Sequence, residues 1–351
     1  MRILFTSNLK NNNSFIDGIV ERLRNQIVVD ASVDGFWKRN THLNYDIVHM
    51  QWPEELFQWK DITHADIERM IKQISYWKSR GARFIVTRHN YKPHVLNNLY
   101  DLLYLEVYQL ADTIVHYSKY SIEEFKVRYS GFCCKKIEHK VIYLPWYTNL
   151  LNECNMFEAR RYLNISNDKK VILIFGKIRH SHERRFALKV FRKLKNKKKL
   201  LIAPQLFSST PSKMQILDWI HFKLQKLLLS KNKSVLTMPG YLPDNEIQYY
   251  MNAADVVFLP RFDVLNSGVH ILAFTFNKLV VGPKSGSVGE ILDSSQNPTF
   301  EVGNVNDAVS KIEKSFEVPA EQVQNYSFAK AHMNWSTVVS NHLNLYKGTN
   351  K

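Results

Sequence analysis

Short apolar runs alternate with longer amphipathic stretches along the whole chain, and their order predicts strand, helix, strand, helix. In the first part the runs are 2–6, 27–29, 46–50, 83–87, 113–116 and 140–144, with helices expected at 14–24, 62–78, 95–111 and 118–129. Ser79-Arg80-Gly81 reads as a glycine stop after the second of those helices. Pro145-Trp146-Tyr147 and the polar stretch to Glu153 read as a linker, after which the alternation restarts. Strands are expected at 171–175, 200–203, 235–238, 256–259, 279–282 and 299–302. Helices are expected at 156–163, 183–195, 213–229, 244–252, 269–276, 287–292, 306–316 and 335–346. Continuous apolar runs, as opposed to alternating ones, suit parallel strands covered by helices on both faces. No repeat of about 20–50 residues appears. The predicted fold class is therefore α/β, with two Rossmann-like domains facing a central cleft, and ligands are expected between them.

In such sheets the loops at the carboxyl ends of strands carry the chemistry. After the run Val256–Leu259 comes a polar loop, Arg261 to Gly268, which opens a mostly apolar helix. Asn266, Ser267 and Gly268 would place backbone N–H groups and a hydroxyl at that helix's N-terminus, an arrangement that suits a phosphate. The same residues also suit plain helix capping, and both readings stand here. Gly176 follows another strand and is itself followed by Lys177 and Arg179: close backbone approach plus fixed positive charge, as a diphosphate needs. Glu290, after Gly286-Ser287-Val288-Gly289, is placed to hold a ribose hydroxyl or to complement a helix dipole. In the first part, the strand 83–87 delivers Arg88, His89, Asn90, Tyr91, Lys92, Pro93 and His94 into a loop. His49, Trp52 and Glu54 form a second polar and aromatic cluster suited to carbohydrate. A histidine at a strand end can move protons near neutral pH or bond a sugar hydroxyl, and it can equally be a satisfied structural residue.

Several classes are excluded. The histidines lack the helical spacing of a metal triad, and there is no G-x-S-x-G elbow and no Walker loop. No G-x-G-x-x-G follows the first strand, which argues against a nicotinamide or flavin enzyme. No metal and no cofactor are expected. Three cysteines, Cys133, Cys134 and Cys154, make neither a disulfide framework nor a zinc pattern, so a reducing cytoplasm is expected. No window supplies about eighteen uncharged apolar residues, which excludes a membrane-spanning helix, and MRILFTSNLK is too short in its apolar part for a signal peptide.

Charge changes the picture more than composition does. The net charge is +16, yet Lys177 to Lys233 alone holds sixteen Lys or Arg against Glu183 and Asp218, a balance of +14 that leaves +2 for the remainder. Nucleic acid, an anionic membrane surface and a solvated face compete for this patch. No nucleic-acid module signature accompanies it, so no nucleic-acid partner is expected and the membrane surface is the preferred functional reading.

Five segments in order carry a resemblance: DIVHMQWP, VTRHNYKPH, VILIFGKIR, NSGVHILAFTFNKLVVGP and GSVGEILD. Together they resemble bacterial GT-B glycosyltransferases close to glycosyltransferase family 4, over nearly the whole chain. The resemblance implies sugar transfer from a nucleotide diphosphate sugar to a saccharide, often lipid-linked, acceptor in cell-surface polysaccharide biosynthesis. It also implies a peripheral location on the inner face of the cell membrane. It divides the chain into an acceptor domain at 1–147, a nucleotide-sugar domain at 148–330 and a helix at 331–351 that packs back on the first domain. Gly176, Lys177, Arg179, Asn266, Ser267, Gly268 and Glu290 are then the donor-binding residues. Asn90, His94, His49 and Trp52 are acceptor-binding, with His89 and Asp263 catalytic. The chain departs from the family in three places. Asp263 lies near the first of two glutamates eight positions apart, while the second corresponds to Leu272; His182 stands where a lysine is usual; and Asn11-Asn12-Asn13-Ser14 replaces a glycine-rich loop. Two rivals follow: a catalytically inactive GT-B relative that binds a saccharide or a partner, and a nucleic-acid-binding protein using the basic patch.

Overall fold

The structure is a computed structural model that describes residues 1–9, 14–39, 42–91, 98–131, 137–178, 180–207, 222–224, 226–229, 232–238 and 242–348. It divides into one unit of residues 1–145 and 332–351 and a second of residues 146–331.

The first unit is built on six parallel strands: β1 (Arg2–Phe5), β2 (Val28–Ala31), β3 (Ile47–Met50), β4 (Arg83–Thr87), β5 (Thr113–His116) and β6 (Glu138–Val141). Their order in the sheet is β2-β1-β3-β4-β5-β6. Side chains alternate across the sheet, so each strand feeds two cores. Leu4, Val48, Phe84, Val86 and Ile114 pack on one face with Met70, Ile74 and Trp77 of the helix His64–Ser79 and with Leu103 and Val107 of the helix Asn98–Leu110. Ile3, Phe5, Ile47, Ile85 and Val115 pack on the other, against the helix Ser14–Arg24 and the helix Trp335–Lys347. The latter helix is tied in at both ends. Trp335 lies over Gly18, with the Arg22 guanidinium 4.1 Å from its ring centroid. At the other end, Arg83 Nη1 donates to the Leu345 carbonyl at 3.2 Å.

The second unit repeats the plan with β7 (Lys170–Leu173), β8 (Lys199–Ile202), β9 (Val235–Leu236), β10 (Val256–Phe258), β11 (Val280–Pro283) and β12 (Thr299–Phe300), in the order β12-β11-β10-β7-β8-β9, all parallel. Residues 146–155 lie against this unit: Tyr147 N donates to Thr275 Oγ1 at 3.2 Å and Glu153 N to Gln248 Oε1 at 3.0 Å. A buried cation fixes the base of β10. Arg160, 3 % exposed, donates to the Ala253 carbonyl and pairs with Asp255 at 2.9 Å, and Asp255 in turn accepts the Val171 N–H.

Three elements differ from expectation. β6 begins two residues earlier than the apolar run, because this edge strand is carried by Glu138, His139 and Lys140. The short helices Val33–Trp37 and Asn325–His332 were not visible as periodic stretches. Most of the helix expected at 213–229, together with His94, Arg179, Cys133 and Cys134, lies outside the described residues.

Candidate functional site

A parallel sheet binds ligands where its strand order reverses. In the second unit that point falls between β7 and β10. Three loops meet there. After β7 the chain turns at Gly176, whose φ of +79° favours glycine, and a Cβ at this position would lie 3.3 Å from Val269 Cγ2. The loop after β7 thus rests against the start of the helix Gly268–Thr275, which follows β10. Arg261, just past β10, ties the same loops together: Nη2 donates to the Lys177 carbonyl at 2.5 Å and Nη1 pairs with Glu183 at 3.0 Å. Glu183 is buried in the helix Ser181–Lys193. The third loop precedes the helix Gly286–Ser294. Gly286 has φ +66°, and an added Cβ would fall 2.1 Å from the Val264 carbonyl oxygen, while Ser287 N donates to the Leu265 carbonyl at 2.9 Å. The loop after β10 is therefore pressed onto the start of that helix.

Lys177, Asp263 and Gly268 are exposed on this convergence, and Asn266 is half-buried. Ser267 is the N-cap of the helix Gly268–Thr275, its hydroxyl accepting the Val269 N–H at 3.3 Å, so the capping reading holds for that side chain. Glu290 is half-buried and sits on the fifth residue of its helix. Arg261 was not singled out in the sequence, since its partners lie 78 and 84 positions away. His180 and His182, both exposed, stack in parallel with centroids 5.3 Å apart, and His182 meets the edge of Phe262 at 4.9 Å.

In the first unit the order reverses between β1 and β3. Ser7, past β1, donates to Glu55 Oε2 at 2.6 Å, and the Asn8 N–H donates to the other oxygen at 3.1 Å. Past β4, His89 is flanked on every side. Its Nε2 lies 3.0 Å from Gln51 Oε1 and its Nδ1 3.1 Å from the Tyr117 hydroxyl, and the ring stacks on Trp52 at 3.8 Å. A neutral ring satisfies both contacts by donating from Nε2 to the Gln51 oxygen and accepting from Tyr117 at Nδ1. Trp52 is half-buried and lies 6.4 Å from Trp59, which is exposed. Asn90 is half-buried in the same loop.

His49 is not part of this surface. It is wholly buried, with Nδ1 2.8 Å from the Tyr346 hydroxyl and Nε2 2.8 Å from Thr87 Oγ1, and burial holds its pKa well below the usual histidine value. The expectation that it contacts an acceptor is corrected: it joins β3 to the helix Trp335–Lys347. Glu54 is also buried, accepting the Tyr104 hydroxyl at 2.7 Å. Arg88 is fully buried, donating to the Ser121 carbonyl at 2.8 Å and pairing with Glu124. Among the described residues, no group of three or more His, Cys, Asp or Glu is arranged to hold a metal ion, and no helix is long and apolar enough to cross a membrane.

No protein-family model matches the sequence, and no curated protein does. Solved structures do match. The sucrose-phosphate synthase of Thermosynechococcus elongatus superposes with a TM-score of 0.71 at 13% identity, covering 99% of this chain and 98% of that one. The Anabaena protein HepE in complex with UDP-glucose gives 0.68 at 14%, covering 99% and 100%. A glycosyltransferase from Rickettsia africae gives 0.65 at 13%, covering 100% and 99%. Likeness at this identity shows the fold: two six-stranded parallel sheets with helices, the α/β architecture of GT-B glycosyltransferases.

Proposed function

We propose that the protein is a glycosyltransferase that moves a sugar from a nucleotide diphosphate sugar to a saccharide acceptor. The observation that carries the reading is the convergence at the switch point of the second sheet. There Gly176, at positive φ, lies against the start of the helix Gly268–Thr275, beside the exposed Lys177. Backbone N–H groups at a helix start and a fixed cation suit a diphosphate, and they stabilise the charge that builds on it as the sugar leaves. HepE, which shares the fold, holds UDP-glucose in its structure.

In this reading Asp263 faces the donor sugar, and Glu290 serves the ribose in place of the carboxylate missing at Leu272. His89 positions the acceptor, because both of its ring nitrogens are engaged by Gln51 and Tyr117 and its face by Trp52. Proton transfer, the other role expected of it, needs a nitrogen that one of those partners releases. The finer reading is a family-4-like, metal-independent enzyme. It acts on a lipid-linked saccharide of cell-surface polysaccharide synthesis at the inner face of the membrane.

The engaged histidine and the apolar Leu272, which is buried, also favour a second reading: a GT-B homologue that binds donor or saccharide without turnover. A thermal-shift screen with UDP, GDP, CMP and their sugar conjugates, with and without Mg²⁺, tests both. A ligand of the native state raises the melting temperature by mass action. A magnesium-independent shift with one nucleoside diphosphate supports donor binding, and turnover with its sugar conjugate then separates enzyme from binding protein. No shift with any of them removes the donor site.

A further inference from the structure

After β3 the chain makes a short 3-10 helix, Pro53–Phe57, and then holds two successive residues at positive φ: Gln58 at +53° and Trp59 at +60°. The end of the helix accounts for the first. Gln58 is its left-handed cap, and the Trp59 N–H reaches back to the Glu54 carbonyl at 3.0 Å. A stop of this kind needs one left-handed residue, and a second that carries a bulky ring is strained. The loop is held from several sides. Glu55 accepts from Ser7 Oγ at 2.6 Å and from the Asn8 N–H at 3.1 Å, and buried Glu54 accepts the Tyr104 hydroxyl at 2.7 Å. The Lys60 carbonyl accepts the hydroxyl of buried Tyr100 at 2.5 Å. What this framework displays is the Trp59 ring, 42 % exposed and 6.4 Å from Trp52, which in turn stacks on His89 at 3.8 Å. Gln58, Lys60 and Asp61 beside it are exposed as well.

We propose that Trp59 is a sugar subsite: its ring takes the face of a sugar next to the one placed at His89, so the acceptor is a chain of at least two sugars. This rests on the acceptor reading of His89 and Trp52. A lone exposed tryptophan is ordinary on a protein surface. A tryptophan held out by a strained backbone, in a row with two rings of the acceptor site, has a use for its exposure. The row sets the length of the acceptor. His89 is buried, Trp52 half-buried and Trp59 exposed, so a saccharide whose reacting end lies at His89 passes Trp59 on its way out. Chemistry selects a sugar as the occupant. The indole face suits the C–H side of a pyranose, while Gln58, Lys60 and Asp61 offer donors and acceptors to its hydroxyls. An apolar partner would desolvate those three polar side chains and give them nothing in return.

The test is binding of the full chain to an array of bacterial surface oligosaccharides, each displayed as a series of fragments from one sugar upward. The parent should bind at least one series with an affinity that rises about tenfold from the single sugar to the longer fragments. Trp59→Gly should remove that gain and leave the thermal shift with nucleotides as in the parent. It should also keep or raise the melting temperature, because glycine takes positive φ without strain. Should glycine lower the melting temperature, Trp59→Leu and Trp59→Tyr decide. Leucine keeps apolar bulk without the aromatic ring and should lose the gain, and tyrosine should keep most of it. The proposal is overturned if no series shows a gain with length, or if glycine and leucine leave the gain unchanged. Nucleotide shifts test the donor reading separately. A shift without a length gain removes this subsite alone, whereas a length gain that needs Trp59, without a shift, keeps the subsite and removes the donor site.

Discussion

The carboxyl ends of the two sheets both carry polar side chains and put them to different uses. In the first unit they are largely turned on one another: His89 with Gln51, Tyr117 and Trp52, His49 with Thr87 and Tyr346, Ser7 with Glu55. In the second unit the strand-end contacts are made mainly by backbone and by Arg261, while Lys177, Asp263, His180 and His182 remain exposed. Polar groups near a strand end thus divide into those that hold loops in place and those a ligand can reach. The division is set by whether a neighbouring element closes over them.

Substitutions can break this contrast. The largest effect is expected at Arg261, where the two uses meet. Arg261→Ala removes the cation paired with buried Glu183, which should cost about 3–5 kcal/mol of stability in urea unfolding as well as abolish nucleotide-induced thermal shifts. Unchanged stability would mean that the clamp is not structural. Next comes His49→Ala, expected to cost about 2–4 kcal/mol because it removes a buried ring and strands two hydroxyls, with no specific loss of acceptor affinity. An acceptor defect at preserved stability would return His49 to the ligand surface.

Acid sharpens the contrast through buried imidazoles. His342, His270 and His116 are held near pKa values of about 4, 3 and 2, mainly by burial. These folded pKa values lie below the unfolded value of about 6.5, so the native state binds fewer protons and the stability is full above that pH. It is lost as the pH falls toward the folded values, at about 1.4 kcal/mol per pH unit for each group. His270 is the cleanest probe, since neither ring nitrogen has a hydrogen-bond partner among the described residues. His270→Leu should be near neutral in urea unfolding at pH 8 and more stable than the parent at pH 5. Equal stabilities at pH 5 would show that this ring is protonated in the fold. The smallest effect on stability is expected at Lys177. Lys177→Ala should change unfolding by no more than about 0.5 kcal/mol while weakening nucleoside diphosphate binding about tenfold, and the reverse pattern would contradict the assignment of the second unit's loops to the donor.

How far the sequence foretold this depends on how local the cause is. Buried parallel strands announce themselves by continuous apolar runs, so β4 and β5 lie where the pattern put them. The edge strand β6 does not, because it is carried by half-solvated Glu138, His139 and Lys140, of which Glu138 pairs with Thr113 and Arg83 and His139 with His116, and which leave no apolar run. Val33–Trp37 is little more than one turn, held by the Ser32 cap, and too short to show a period. At the site, Gly176 was legible since its reason for being glycine is its own backbone. Asn266 to Gly268 were legible as a helix start, though not as to what uses Ser267. His49 was misplaced because nothing within its own strand reveals Tyr346, 297 positions on, as its partner. Arg261 was passed over for the same reason.

The helix Trp335–Lys347 has a further consequence, in the order of events during synthesis. It covers one face of the first sheet, yet the 186 residues of the other unit, 146–331, are made between that sheet and the helix that completes it. A ribosome therefore releases residues 146–331 as a finishable body while the face of Ile3, Phe5 and Ile47 has the helix Ser14–Arg24 but still lacks the second half of its cover. The half begun first is the half finished last, and until then its apolar face is what a chaperone meets.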